Sequence, residues 1–416
     1  MLTSRDFKAL LLLAASLLLF HTHARAQSGR RPPTPVPAPA PTPIDYTRHE
    51  KVRVVVSGGV ENFVKALNEQ GRLGYRMEKT VSYGSLDRER KYAAVLELDP
   101  GHTYDYDYEP LPEDARYEDR LNYYARRGYA LAHAYAVTEC RLVDVTPYPD
   151  DLNSPSKKEE IRPVYRGNVL LFMRRGADAT QTKEYRVFKG LFALDGGQKK
   201  ELQAELDAAP RGFRPVRLLF AGSGPHHFRL AVVAERDLGG AAPPRAEYQL
   251  VKEVFGFEEK VNRLAAAGAR YVGGGRMEFV KIALMERRDG GAHAYAFKDD
   301  SGEQKDFEKA AAGGSYAGLL VGDLTCTSDE SLFLQKLVFA RDAGGGGPAR
   351  EYRVLGLSNR GRDKKVRPLS DASVSELRRL NAEGFRVRDI FYSFGLHLIL
   401  ERQAEARDPQ VETSER

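Results

Sequence analysis

Polar and apolar positions along this chain fall into a cycle that returns six times from Lys51 onward. Each cycle opens on a short aromatic or β-branched run, read as a strand: Arg53 to Val56, Tyr104 to Tyr108, Tyr185 to Phe188, Tyr248 to Val251, Tyr295 to Phe297 and Tyr352 to Leu355. A helical stretch follows and stops at a glycine with an aromatic at once or within three residues: Gly74 and Tyr75, Gly128 and Tyr129, Gly212 and Phe213, Gly268 and Tyr271, Gly314 and Tyr316, Gly384 and Phe385. Glycine suits a helix end in the left-handed conformation, and the aromatic after it can fold back on the last turn. An apolar strand closes each cycle and ends in Arg174, Arg236, Arg287, Arg341 and Arg402 in all but the first, which ends Leu96-Glu97-Leu98. The pattern predicts an α+β fold of tandem strand-helix-strand-strand repeats, with antiparallel sheets covered by one helix per unit.

The boundaries read as repeat 1 at 51–101, repeat 2 at 102–177 with an insertion at 143–166, repeat 3 at 178–240 and repeat 4 at 241–291. Repeat 5 takes 292–346, repeat 6 takes 347–404 with a basic insertion at 358–368, and 405–416 reads as a disordered tail. A helix over one three-stranded sheet is a small core, so neighbours are expected to share sheets or pack sheet faces. Tyr185 and Val187 alternating with Arg186 and Phe188 leave apolar groups on both sides of such a sheet. Ser373 with Glu376 reads as a capping box for the last helix.

The first 26 residues have a different character. Arg5 and Lys8 precede the apolar run Ala9 to Phe20 and then Ala24-Arg25-Ala26, the order of a cleavable secretory signal with cleavage before Gln27. The run is shorter than the roughly 20 residues a bilayer-spanning helix needs, so retention as an anchor is the weaker alternative. The Pro-rich stretch inside 27–50 favours an extended spacer without a fixed fold. Export would place the chain in the periplasm or outside the cell.

The chain resembles a small bacterial domain family of unknown function with the pattern EYKVV, then LN-x-x-G-x-x-GWELV, then a strand ending FKR. The residues that carry this are Glu351-Tyr352-Arg353-Val354, Leu380-Asn381 with Gly384-Phe385-Arg386-Val387, and Leu398 to Arg402, with fainter copies such as Leu67-Asn68 and Gly74-Tyr75. The tryptophan of the pattern is Tyr, Phe or displaced here. The resemblance implies degenerate tandem copies, and it brings no catalytic residue, because the family pattern supplies none.

Lys and Arg number 64 against 58 Asp and Glu, a formal net charge of +6 with both signs interspersed, which argues against a dedicated nucleic-acid binder. No Gly-x-Ser-x-Gly elbow occurs. Ser223 beside His226 and His227 reads as a hairpin turn, Ser57-Gly58-Gly59 as the start of a helix, and Gly273-Gly274-Gly275 as outside any phosphate-cradling loop. The alternation from Tyr104 to Glu109 predicts tyrosines inward and acids outward. No cofactor or metal site is expected.

Recognition is expected where copies depart from the repeat, because an added segment needs a reason beyond building the unit. Those departures are Tyr148, Asp150 and Asp151 in the first insertion, and Arg360, Arg362, Lys364, Lys365 and Arg367 in the second. Cys140 and Cys326 hold equivalent places in repeats 2 and 5 and form a possible disulfide in an oxidising compartment, with free thiols the alternative. The expected function is an exported, non-enzymatic binding or scaffold component of the cell envelope, its partner a protein or an anionic envelope polymer. An extracytoplasmic hydrolase with a site assembled between repeats and a proteinaceous enzyme inhibitor are the alternatives.

Overall fold

The computed structural model describes residues 50–83, 90–112, 115–144, 159–176, 179–193, 199–210, 212–224, 227–239, 246–277, 280–287, 291–299, 304–311, 314–327, 330–342, 350–357, 370–392 and 395–403. The expected signal, spacer, tail and basic stretch lie outside these residues. Among the described residues the chain begins with β1 (Val52–Gly58), α1 (Val60–Arg72), β2 (Tyr75–Tyr83) and β3 (Lys91–Leu98). Then come β4 (Tyr104–Pro112), α2 (Tyr117–Arg126), β5 (Ala130–Asp144) and β6 (Glu159–Arg175), followed by β7 (Lys183–Ala193), α3 (Lys199–Asp207), β8 (Arg214–Gly224) and β9 (His227–Asp237). The second half holds β10 (Glu247–Glu253), α4 (Phe257–Ala266), β11 (Ala269–Met277) and β12 (Val280–Arg287), then β13 (His293–Asp299), α5 (Gln304–Ala311), β14 (Ser315–Thr327) and β15 (Glu330–Asp342). It ends with β16 (Arg350–Gly356), α6 (Asp371–Ala382), β17 (Arg386–Tyr392) and β18 (Leu396–Gln403).

These four-element groups, numbered here as units 1 to 6, share one sheet topology. The last strand of each is central and pairs antiparallel with the other two, giving orders β1-β3-β2, β4-β6-β5, β7-β9-β8 and β16-β18-β17. Units 4 and 5 are joined into one six-stranded sheet, β10-β12-β11-β14-β15-β13, by a parallel pairing of β11 with β14 at Gly274–Leu320 and Gly275–Val321. The span 143–166, expected as an inserted loop, is partly strand: Val143 and Asp144 pair with Glu160 and Glu159, so β5 and β6 run on as a long hairpin.

The helices are amphipathic at helical spacing, as in α1, which buries Phe63, Val64, Leu67 and Gly71. At Gly71 a Cβ would sit 2.1 Å from the Tyr104 carbonyl oxygen of unit 2, a closeness that only glycine permits. Helix-ending Gly74, Gly128, Gly212, Gly268 and Gly384 all have positive φ. Gly314, expected in the same role, does not; a Cβ there would meet the Ala340 carbonyl oxygen at 2.4 Å, so this glycine serves a close backbone approach beside β14. The cap of α6 also differs from expectation. It is Ser370, whose hydroxyl accepts from the Ser373 amide, while Glu376 turns to Arg379.

Each helix lies between its own sheet and the sheet of the following unit, so the sheet faces are bridged by helices. Phe63, Val64 and Leu67 of α1 join Met77, Ala94 and Leu96 of their own sheet with Tyr104, Tyr106, Tyr135 and Leu171 of unit 2 in one core. The same composition recurs at each following junction as far as unit 6. The circuit then closes: Leu377, Leu380, Leu398 and Leu400 of unit 6 pack with Val52, Val81, Ala93 and Val95 of unit 1, and Tyr83 stacks on Tyr392 at 4.6 Å between ring centroids.

The recurring polar residues build this circuit. The Asn68 amide donates to the Tyr106 carbonyl at 2.9 Å and its oxygen accepts from the Tyr106 amide at 2.8 Å, capping the free edge of β4. Asn122 does the same to Tyr185, Asn262 to Tyr295, Gln203 to Tyr248 and Leu250, and Gln304 to Tyr352 and Val354. The opening-strand tyrosines return the link: the hydroxyls of Tyr106, Tyr185, Tyr295 and Tyr352 accept from the amides of Met77, Leu131, Tyr271 and Tyr316 in the preceding unit. At the equivalent place unit 3 has Pro215, which has no amide proton, and the Tyr248 hydroxyl turns to Glu286 instead. Within a unit the closing arginine joins the remaining motif residues. Arg174 pairs with Asp105 and lies over Tyr129, Arg236 with Glu184 over Phe213, and Arg402 with Glu351 over Phe385.

Candidate functional site

The second strands β2, β5, β8, β11 and β14 touch one another in that order, β17 touches β2, and Tyr316 on β14 bonds Asp389 on β17. They form the inner circuit of the molecule. Each carries a one-residue bulge near its start, and pairing resumes at Lys79, His133, Arg217, Gly273, Gly318 and Asp389. A bulge re-aims the residue that follows it. The six positions are therefore equivalent in the fold and carry unlike side chains, four of them ionisable.

These side chains converge. The Arg217 Nη2 donates to the Ala132 carbonyl at 3.3 Å and to His133 Nδ1 at 3.0 Å. Because a guanidinium only donates, Nδ1 is the acceptor and Nε2 carries the proton of the neutral ring. Burial holds the His133 imidazole well below its ordinary range, and the positive charges of Arg217 and Lys79 push the same way. Burial also lowers Arg217, opposed by the charge of Asp389 from unit 6. Asp389 is held by two donors, the Tyr316 hydroxyl at 2.8 Å and the Ile390 amide at 2.9 Å. Burial first, and then Asp389, pushes the Tyr316 phenol well up, with Tyr271 of unit 4 also within reach. All six units thus contribute to one polar axis: Lys79, His133, Arg217, Tyr271, Tyr316 and Asp389. Around it, the Thr80 hydroxyl bonds the Tyr135 hydroxyl at 2.5 Å and the His133 ring tilts against Tyr135.

The residues singled out for recognition in the sequence are elsewhere. Tyr148, Asp150 and Asp151, and Arg360, Arg362, Lys364, Lys365 and Arg367, lie outside the described residues. Cys140 stands on β5 opposite Pro163 and Cys326 on β14 opposite Ser331, with their side chains outside the description. Tyr104 and Tyr106 are buried, while Asp105 faces outward to Arg174. Ser223 and Gly224 pair with Phe228 and His227 across the β8–β9 hairpin, and Gly273 to Gly275 lie on strand β11. Gly59 opens α1. Among the described residues no group of three His, Cys, Asp or Glu is placed to hold a metal ion.

The axial set was not singled out in the sequence, though a signal existed. Lys79, His133, Arg217, Gly273 and Asp389 each fall five residues after a helix-ending glycine. Gly318 falls five after Gly313, which lies outside the described residues. No family model matches the chain, and no curated protein matches it.

Proposed function

We propose that this chain is an exported, non-enzymatic binding or scaffold component of the cell envelope, built from degenerate copies of the domain it resembles. The observation that carries this reading is where the motif residues are used. The repeated Asn, Tyr, acidic and Arg side chains satisfy one another within and between units, so the motif builds the scaffold and leaves chemistry to the positions where copies differ. A closed order of packing gives such positions the rigid backing that recognition needs. The signal-like N-terminus and Pro-rich spacer support delivery to the envelope and separation from its surface.

Fractionation of cells producing the full chain with a C-terminal tag tests this reading. The expected product begins at Gln27, lies outside the cytoplasm and sediments with envelope material. A cytoplasmic chain still starting at Met1 would overturn it, and release of fragments from envelope polymer by the purified protein would favour a hydrolase.

A further inference from the structure

We propose that the axial arc Lys79, His133 and Arg217 is a binding site for an oxyanion, a carboxylate or phosphoryl group on a small molecule or at the end of a polymer. Among the described residues neither Lys79 nor Arg217 has a carboxylate at ion-pair distance, and the Lys79 side chain makes no hydrogen bond. Both side chains are half-buried. Arg217 uses Nη2 on two protein acceptors and, among the described residues, leaves Nε and Nη1 without one. Arg217 and Lys79 flank a neutral imidazole, while the acid across the axis, Asp389, already serves two donors. A half-buried cation without an ion pair is costly, and an oxyanion answers that cost with the bidentate geometry a guanidinium prefers. With Nδ1 committed to Arg217, His133 keeps its Nε2 proton as a further donor of the right sign.

The equivalent positions of units 4 and 5 are open. A Cβ placed on Gly273 would meet nothing within 4 Å, and one on Gly318 only the Tyr271 ring edge at 4.0 Å. Three units thus bring donors to the axis while two bring no side chain at the matching place.

The site deepens the binding reading above but is measured on purified protein, so it can fail while export and envelope association hold, and the reverse. Calorimetric titration and thermal melts of the full chain with sodium acetate, phosphate or sulfate, against chloride at matched ionic strength, are expected to show saturable binding to at least one oxyanion. Acetate against phosphate distinguishes carboxylate from phosphoryl recognition, and polyglutamate or polyphosphate of matched group concentration distinguishes a polymer end from a free ion. Arg217→Met and Lys79→Met should each weaken binding about tenfold or more, with Arg217→Lys weakened less. Gly273→Leu, which alters no charge, should block the site by filling it. Melting curves of the unliganded variants establish that each is folded, and Lys79→Met suffices should Arg217→Met fail to fold. Equal responses to chloride and oxyanions, or undiminished binding in Lys79→Met and Gly273→Leu, would overturn the proposal.

Discussion

The junction between units 1 and 2 and the one that returns from unit 6 to unit 1 join the same kinds of surface by different means. At the first, Asn68 caps the edge of β4 through two hydrogen bonds and Tyr106 returns a third to the Met77 amide. At the second, the equivalent Asn381 bonds within its own unit at the Phe385 carbonyl, and β1 carries Val52 where the other opening strands carry tyrosine. What replaces the clamp is apolar: Leu377, Leu380 and Leu398 against Val52, Val81 and Val95, with the Tyr83–Tyr392 stack and an exposed Arg378–Glu50 pair. The difference teaches what the motif is for. An Asn or Gln clamps the tyrosine strand where one unit's helix must seize the edge strand of the unit that follows it in sequence, and the contact lapses where the chain has no such successor.

The largest test of this comparison is a paired core truncation. Leu67→Ala and Leu380→Ala remove equivalent buried residues at the two junctions and are expected to cost about 2–5 kcal/mol each in chemical unfolding. A negligible cost for Leu380→Ala alone would mean that the closing junction is not packed. Next in size, Asn68→Ala strands a backbone amide and carbonyl of Tyr106 and should cost about 1–3 kcal/mol. Asn381→Ala should stay within about 0.5 kcal/mol; equal costs would erase the distinction between the junctions. In hydrogen exchange, amides of β1 should accordingly open at lower free energy than those of β4.

The smallest expected effect is a pH dependence at the axis. The neutral form of His133 is favoured in the folded state by burial, Arg217 and Lys79, so the unfolded chain binds the extra proton first. Stability from this group is therefore full above about pH 6.5 and is lost as pH falls from there toward the depressed folded value. His133→Gln should flatten that part of the stability profile relative to the wild type; an unchanged slope would place the imidazole in water.

The unit and its punctuation were legible because they rest on short-range rules: strand alternation, helix-ending glycines, and aromatics after them. Asn68, Tyr106 and Arg402 were visible as repeated letters, yet their roles depend on contacts to a neighbouring unit that spacing cannot show. Closure was not legible at all, since the pairing of Val52 and Val95 with Leu380 and Leu398 spans nearly the whole chain. The axis was hidden for a related reason. Plain alternation puts Lys79, His133 and Arg217 on the same strand face as Met77, Leu131 and Pro215, and the bulges between them turn these side chains to the opposite face. Ser373 read as a cap because it precedes Glu376, and Ser370 won because its hydroxyl reaches the Ser373 amide. The merging of units 4 and 5 follows from Gly274. A Cβ at Gly274 would come within 2.8 Å of the Leu320 side chain, its partner in the parallel pairing, so β11 and β14 approach closely where they pair.

The closed circuit of six units is the central claim, and a cross-link between its ends tests it most directly. In a full-length chain with Cys140→Ser and Cys326→Ser, the exposed pair Glu50→Cys and Arg378→Cys would be treated with a short bis-maleimide at low protein concentration. The account predicts an intramolecular product of monomer mass whose mobility on a denaturing gel is that of a looped chain, formed in the native state and lost when the protein is unfolded before reaction. Cross-linking only between molecules, or none in the native state, would contradict closure.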